Sequence, residues 1–415
     1  MSNTLITSDM VADRGLARFH EKAAFIGTIS RNYDDEFAKK GKKAGDTIRL
    51  KNPNRYVRRQ GSRVMDVQPI TNTTQDLTVS TQDGVDCEVN SAEATLSLDD
   101  MDEEFIGPAM DQLASGIDGD VLVYAIKRTF NTVGTPGAVP GASNDITVLG
   151  QARARLNQYL AEKKNRAMHV DSMTMASIVN AMKLQPQPSE DIAEAIREGF
   201  MSRTAMADFY ENERIWTLTN PGDVAGEIDE STETNFTEGS TTVHMDGLTT
   251  ASDIVAGMVF TWEGLYAVHP ETKQVYSHLQ DFTVISVANP SSGDADVTFS
   301  PAIYTTGAKL NVKTATGAAV TWTSTGQDGK DITFRGNAST AYKYGLMCAK
   351  TAFVFASADL VLSKTGECSR RNHEGIALRF WRSGDIVNDR ELARFDCLYG
   401  MKDTQPEKAC RIILN

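Results

Sequence analysis

The sequence predicts an α+β protein whose mixed host is interrupted by an all-β domain, and three observations lead there. Helical spacing nearly vanishes between residues 212 and 340, where Thr, Ser, Gly and Asp surround short runs of β-branched and aromatic residues. The apolar period switches from strand to helix at Ser97, where SLDDMDEEF fills a first helical turn with acids that oppose the positive helix end. Over residues 45–98 the pattern alternates, as in TQDLTVS and DCEVNSAEATLSL, which reads as a long β-excursion. A chain of 415 residues also exceeds what one core usually serves, so several domains are expected.

The elements follow in order. LARFHEKAAFIGTISRNYDDEFAK carries helical spacing and places a short helix in an N-terminal arm, residues 1–44. Residues 45–98 form an extended loop with peripheral strands, basic at its tip in KNPNRYVRRQGSR. Phe105, Ala109, Leu113, Ile117, Val121, Tyr124 and Phe130 keep helical spacing over about 102–132, a long and sparsely covered helix within residues 99–149. GTPGAVPGASND is a loop rather than a phosphate cradle, because Pro136 and Pro140 remove the N–H groups a cradle uses and no Lys-Ser or Lys-Thr follows. Three helical patterns, LGQARARLNQYLAEKKN, SMTMASIVNAMK and SEDIAEAIREGF, and a strand at AMHVDS make residues 150–211 α-rich. In the insertion, TTVHM, GMVFTW, DFTVISV, DVTFSP, KLNVKT, AAVTWTS and DITFR suffice for a barrel or sandwich. Phe260, Trp262, Tyr266 and Phe282 are its expected core. Helix is expected to resume at TAYKYGLMCAKTAFVFA, followed by strands at DLVLSK, IALRFWRSG and DCLYGMKDTQPEKACRIIL.

Composition narrows the function. With 40% hydrophobic residues and mean hydropathy −0.32, the chain has no apolar run long enough to span a membrane. Its start shows no basic region followed by an apolar core, so an intracellular origin is expected. Five scattered cysteines form no C-x-x-C, which argues against a disulfide framework and a zinc site. A net charge of −13 speaks against sequence-independent nucleic-acid binding by the whole chain. The distribution of charge is more informative. Residues 31–63 hold eleven Lys or Arg against four Asp or Glu, whereas residues 66–120 hold fourteen Asp or Glu and no Lys or Arg. Adjacent blocks of opposite sign suit a chain whose copies associate, an arm of one lying over the body of the next.

Catalytic readings find little support. HEKAA at His20 and HEGIA at His373 lack the second histidine of an H-E-x-x-H zinc helix, and no G-x-S-x-G elbow occurs. His169, Asp171 and Ser172 stand too close on one strand to converge as a triad. His269 and His278, with Glu271 between them, allow a metal site across a turn, against the simpler reading of a plain β-domain. No catalytic residue, metal or cofactor is expected.

The order of elements, with GDTIRL (45–50), SLDDMDEEF, GLTTASDIVAGMVFTWEGLYAV and LYGMKDTQPEKACRI (398–412), resembles the major capsid proteins of tailed bacteriophages, in the short-tailed type whose Hong Kong phage-type capsid fold carries an inserted β-barrel domain. That resemblance implies a self-assembling icosahedral shell of pentamers and hexamers in the virion, enclosing double-stranded DNA without gripping its sequence. It also implies host-cytoplasmic assembly through a scaffolded procapsid, with a scaffolding protein and a portal protein as partners and no membrane. Residues 150–211 and 341–375 would build the axial domain, 212–340 the inserted barrel, and 376–415 the return strands. Arg49, Lys51, Arg55, Arg58, Arg59 and Arg63 would meet Asp99, Asp100, Asp102, Glu103 and Glu104 of an adjacent copy. An encapsulin-like compartment shell and, from another class, a carbohydrate-binding or carbohydrate-active protein with a β ligand module are the alternatives.

Overall fold

The structure is a computed structural model that describes residues 8–34, 47–51, 56, 74–90, 106–142, 146–182, 203–204, 207–220, 225–229, 236–248, 254–291, 293–385 and 390–415. The chain divides into two compact units, one built from residues 1–52, 72–122 and 353–404, the other from 53–71, 123–352 and 405–415.

The first unit is a sheet with helices. Its strands run in the order β1 (Ser30–Asp34), β18 (Phe353–Ala358), β21 (Arg390–Asp403), β20 (Ile376–Asp385) and β19 (Glu367–His373), and β4 (Thr81–Asn90) pairs along β21. A separate two-stranded ribbon joins β2 (Thr47–Lys51) to β3 (Thr74–Thr78), in register from Thr47 opposite Thr78 to Lys51 opposite Thr74. Leu77 and Val79 close over Val354, Ala356, Ala358 and Leu398, with Ile48, Leu50 and Leu360 at the margin. Helix α1 (Ser8–Lys22) buries Val11, Ala12, Gly15, Leu16 and Phe19 on one stripe. Helix α2 (Ala24–Thr28) begins where the buried Asp118 carboxylate accepts the N–H groups of Phe25 and Ile26 at 2.8 and 2.9 Å, satisfying two donors that a helix start leaves open.

The long helix is α3 (Gly107–Arg128), its expected beginning near 102 lying outside the described residues. It is not sparsely covered. Met110, Leu113, Ala114, Ile117, Val121, Leu122, Ala125 and Ile126 are all buried, because apolar side chains surround the helix instead of forming one stripe.

In the second unit a mixed sheet runs β5 (Thr132–Val133), β22 (Ala409–Ile413), β17 (Ala341–Ala349), β6 (Arg166–Val170), β8 (Ala207–Glu211) and β7 (Arg203–Thr204), with β9 (Thr217–Thr219) pairing β17. Helices α4 (Thr147–Gln158) and α5 (Ser172–Met182) contribute Leu149, Ala152, Leu156, Met175 and Ile178 to a core shared with Met168, Val170, Phe209, Met347 and Ile412. The third helical pattern, SEDIAEAIREGF, lies outside the described residues.

The insertion is a closed barrel. Its ring runs β13 (Val275–Ser291), β14 (Asp294–Ile303), β11 (Ser240–Asp246), β10 (Ala225–Ile228), β16 (Asp331–Phe334) and β12 (Val259–Val268), and β12 pairs back to β13; β15 (Val312–Lys313) adds to β12. Closure leaves the ring without a free sheet edge. The α+β class with an inserted barrel therefore stands as expected from the sequence.

Three local expectations fail. TAYKYGLMCAKTAFVFA forms the strands β17 and β18, because a short apolar run that is buried on both faces carries no period to separate strand from helix. DLVLSK is not a strand; Val361 and Leu362 stand exposed in the connection to β19. AAVTWTS is not a strand either: its Trp322 packs edge-on to Phe236 at 4.8 Å and tilts over Trp262 at 5.6 Å, so the segment caps the aromatic interior with side chains, and the short helix α6 (Ser324–Gln327) follows it.

Candidate functional site

Of the six basic residues expected at a contact between copies, Arg49 and Lys51 are described. Both lie exposed on β2, and Arg49 stands 3.9 Å from Asp76, its cross-strand partner. A pair this exposed contributes about 0–1 kcal/mol, so Arg49 keeps most of its charge available. Arg55, Arg58, Arg59 and Arg63 lie outside the described residues, as do Asp99, Asp100, Asp102, Glu103 and Glu104.

Within the insertion, Phe260, Trp262 and Phe282 are fully buried, and Phe260 stacks on Phe282 at 5.6 Å with Phe299 and Phe334 edge-on around them. Tyr266 is a correction: it is half-buried and Leu265 takes the interior position. Between Thr261, opposite Asp281, and Tyr266, opposite Leu279, the register slips, with Gly264 at φ +82° in the bulge. Extra residues on one strand reverse which side chains face inward beyond that point.

The two histidines considered for metal binding hold structural positions. His269 Nδ1 accepts the N–H groups of Glu271 and Thr272 at 3.1 Å each, fixing the turn with the lone pair a metal would need there. His278 stacks on Tyr276 at 5.4 Å, and burial, aided by the nearby Arg155 and Arg335 charges, pushes its pKa down to about 4. His169, Asp171 and Ser172 do not converge. His169 is buried against Tyr210 at 5.2 Å and pushed down to about 3 by burial. Asp171 accepts from Thr174 N–H at the start of α5 and pairs with Lys343 at 3.3 Å, while Ser172 Oγ donates to Glu213. Among the described residues no three His, Cys, Asp or Glu side chains gather as metal ligands.

The residues that fix the barrel in its unit escaped the sequence reading. Arg411 of β22 is completely buried, and its guanidinium donates to Thr129 O and Gly257 O at 2.5 Å each, to Lys127 O at 3.3 Å and to Thr283 Oγ1 at 2.6 Å. Burial lowers its pKa to about 10, which leaves it charged at neutral pH. The end of α3, the entry to β12, β13 and the C-terminal strand thus share one fork of donors. Asp281, equally buried on β13, accepts from Arg335 Nη2 at 2.7 Å and Nε at 3.2 Å, lies 3.9 Å from Arg155 of α4, and accepts Thr132 N–H at 3.4 Å. The available signal was a single charge inside an apolar strand, Arg411 in ACRII and Asp281 in QDFTVISV, since such charges persist only when their hydrogen bonds are met.

Arg49 and Lys51 thus expose charge on the β2–β3 ribbon, whereas Arg411 and Asp281 engage their buried charge in hydrogen bonds within the chain. A family model described as "P22 coat protein - gene protein 5" matches residues 70–411. No curated protein matches the chain. Among solved structures, one titled "Mycobacterium phage Che8" is 8% identical, with 94% of this chain and 90% of that chain covered and a TM-score of 0.45. "Capsid structure of the Cyanophage P-SCSP1u" is 8% identical over 93% and 86% of the two chains with a TM-score of 0.44, and "Asymmetric unit of bacteriophage PhiM1 mature capsid" is 10% identical over 94% and 86% with a TM-score of 0.43.

Proposed function

The chain belongs to the P22 coat protein family and is a major capsid protein of a tailed phage; from that premise we propose that its shell closes through a contact between the basic 49–63 segment of one copy and the acidic 99–104 segment of the next. The observation that carries the reading is the pair of adjacent charge blocks, eleven Lys or Arg in residues 31–63 and no Lys or Arg in residues 66–120. The exposure of Arg49 and Lys51 on β2 supports it. A single surface pair is worth about 0–1 kcal/mol, but a shell repeats each contact in every subunit, so small terms decide register and closure.

In this reading residues 45–98 reach over a neighbouring copy, 150–211 with 341–375 surround the centres of pentamers and hexamers, and TNPGDVAGEIDEST lies toward a neighbouring capsomer. The barrel is a stabilising module. Assembly in the host cytoplasm passes through a procapsid with a scaffolding protein, a portal protein occupies one vertex, and the net charge of −13 lets the shell confine double-stranded DNA without binding it tightly.

The test is a charge-reversal cycle in the intact chain, expressed with and without a candidate scaffolding protein and read by sedimentation velocity and electron microscopy. Arg59→Glu or Glu103→Arg alone should abolish closed shells, and the double variant should restore them. A double variant no better than either single would count against the contact, and folded small species with no shells from the unmodified chain would count against scaffolded assembly.

A further inference from the structure

Helix α1 is held on the β19–β20 hairpin by two polar clamps that surround its apolar stripe. At its start, Arg371 of β19 forks between Asp9 at 2.9 Å and Asp13 at 3.0 Å, and Ser369 donates to Asp9. Ser8 Oγ donates to Glu367 Oε2 at 2.8 Å, and the same oxygen takes Arg382 Nη2 at 2.8 Å. At the end of α1, His20 Nε2 donates to the carbonyl of His373 at 3.0 Å, and the two rings meet edge to face at 5.2 Å. Arg31 of β1 sits against the Glu374–Gly375 turn, both residues of which have positive φ, and pairs with Glu374 at 2.9 Å. A Cβ on Gly375 would lie 3.0 Å from that of Arg31. His20, Ala23, Gly27, Arg31, His373, Glu374 and Ile376 line an open cleft of about 310 Å³ at this end. Lys22 reaches Asp111 of α3 at 3.3 Å.

We infer that α1 is an acid-releasable latch, docked on the hairpin while His20 is neutral and Glu367 is ionised, and loosened as a unit when these two groups take up protons. Three cation-capable groups, His20, His373 and Arg31, meet at the rear clamp against one carboxylate, Glu374, which Arg31 already occupies. A proton on His20 adds a second full positive charge to a half-buried corner. Burial first, helped by the Arg31 and His373 charges, outweighs the hydrogen bond to the His373 carbonyl and the Glu374 charge, which act the other way, and holds the His20 pKa below its ordinary 6.5. The docked form therefore binds fewer protons than the free form, and this contribution is complete above 6.5 and lost as pH falls toward the docked value. At the front clamp, the hydrogen bond from Ser8 and the Arg382 charge hold Glu367 below its ordinary 4.5, so that part is lost at lower pH still. Both clamps weaken in the same direction. Each pair is exposed and weak alone. The apolar stripe is short, Gly15 meeting Leu378 and Met110 at the contact, so local release does not require the sheet to unfold.

Hydrogen exchange of the full chain, corrected for intrinsic rates, separates the outcomes. Between about pH 7.5 and about pH 5, protection across residues 8–22 should fall about tenfold further than across β12 and β13, the internal reference. His20→Gln keeps the donor to His373 and cannot charge, so it should hold α1 protected through the upper part of this range. Arg371→Gln should lower α1 protection already at neutral pH with the barrel unchanged. Parallel loss in α1 and the barrel, or release of His20→Gln at the pH of the parent, overturns the latch. Should His20→Gln lose barrel protection as well, Arg371→Gln decides: unchanged α1 protection at neutral pH overturns it.

Discussion

The inserted barrel and the β2–β3 ribbon are both antiparallel β-structure, yet they solve opposite problems. In the barrel every strand of the ring has two neighbours, and the interior is filled by Phe260, Trp262, Phe282, Phe299 and Phe334. The ribbon has two strands, and its burial pattern alternates between exposed and half-buried along β2. Two strands alone are marginal in water. The ribbon instead rests one face on its own sheet through Leu77 and Val79 and leaves Arg49 and Lys51 exposed, where the proposed contact with a second copy would use them. In the proposed shell the barrel is a closed module within one chain and the ribbon presents charge to a neighbouring copy.

Breaking the barrel should give the largest effects. Trp262→Ala removes a fully buried indole and should cost about 3–5 kcal/mol, read as loss of protection across β12, β13 and β16 with α1 unaffected. Arg411→Met comes next. It leaves the carbonyls of Thr129, Gly257 and Lys127 without the donor they share, and unfolding by denaturant should show a loss of about 2–4 kcal/mol. Tyr266→Ala sharpens the comparison inside one strand: lying past the bulge and only half-buried, it should cost about 1 kcal/mol where an interior residue would cost several. At the ribbon, Arg49→Glu should change chain stability by no more than about 0.5 kcal/mol, because the side chain is exposed, while abolishing shells if the proposed contact between copies forms.

The smallest effect is one of pH. His244 of β11 lies opposite Asp296 of β14 and bonds to it at 2.8 Å; that bond first, with Asp296, Asp229 and Asp294 as nearby charges, raises its pKa above the ordinary 6.5. The contribution is therefore fully present below 6.5 and lost as pH rises through the folded value. His244→Gln should flatten that slope in barrel melting curves, and an unchanged slope would remove His244 as its source.

The sequence alone determined the plan of the molecule. The long helix, the inserted β-domain and its aromatic core at Phe260, Trp262 and Phe282 were legible because periodicity, turn residues and aromatic density are local properties. The opposed charge blocks were legible for the same reason, being visible without any contact map. Only tertiary structure decided the rest. β17 and β18 became strands because neighbouring strands bury both faces of a run that has no period of its own. Tyr266 gave way to Leu265 because a bulge reverses facing and leaves no mark on composition. Arg411 and Asp281 look like single charges misplaced in apolar strands until the carbonyls and guanidinium groups that satisfy them arrive from residues more than fifty positions away. A buried charge is fixed by its partners, and partners distant in the chain are brought together only by the fold.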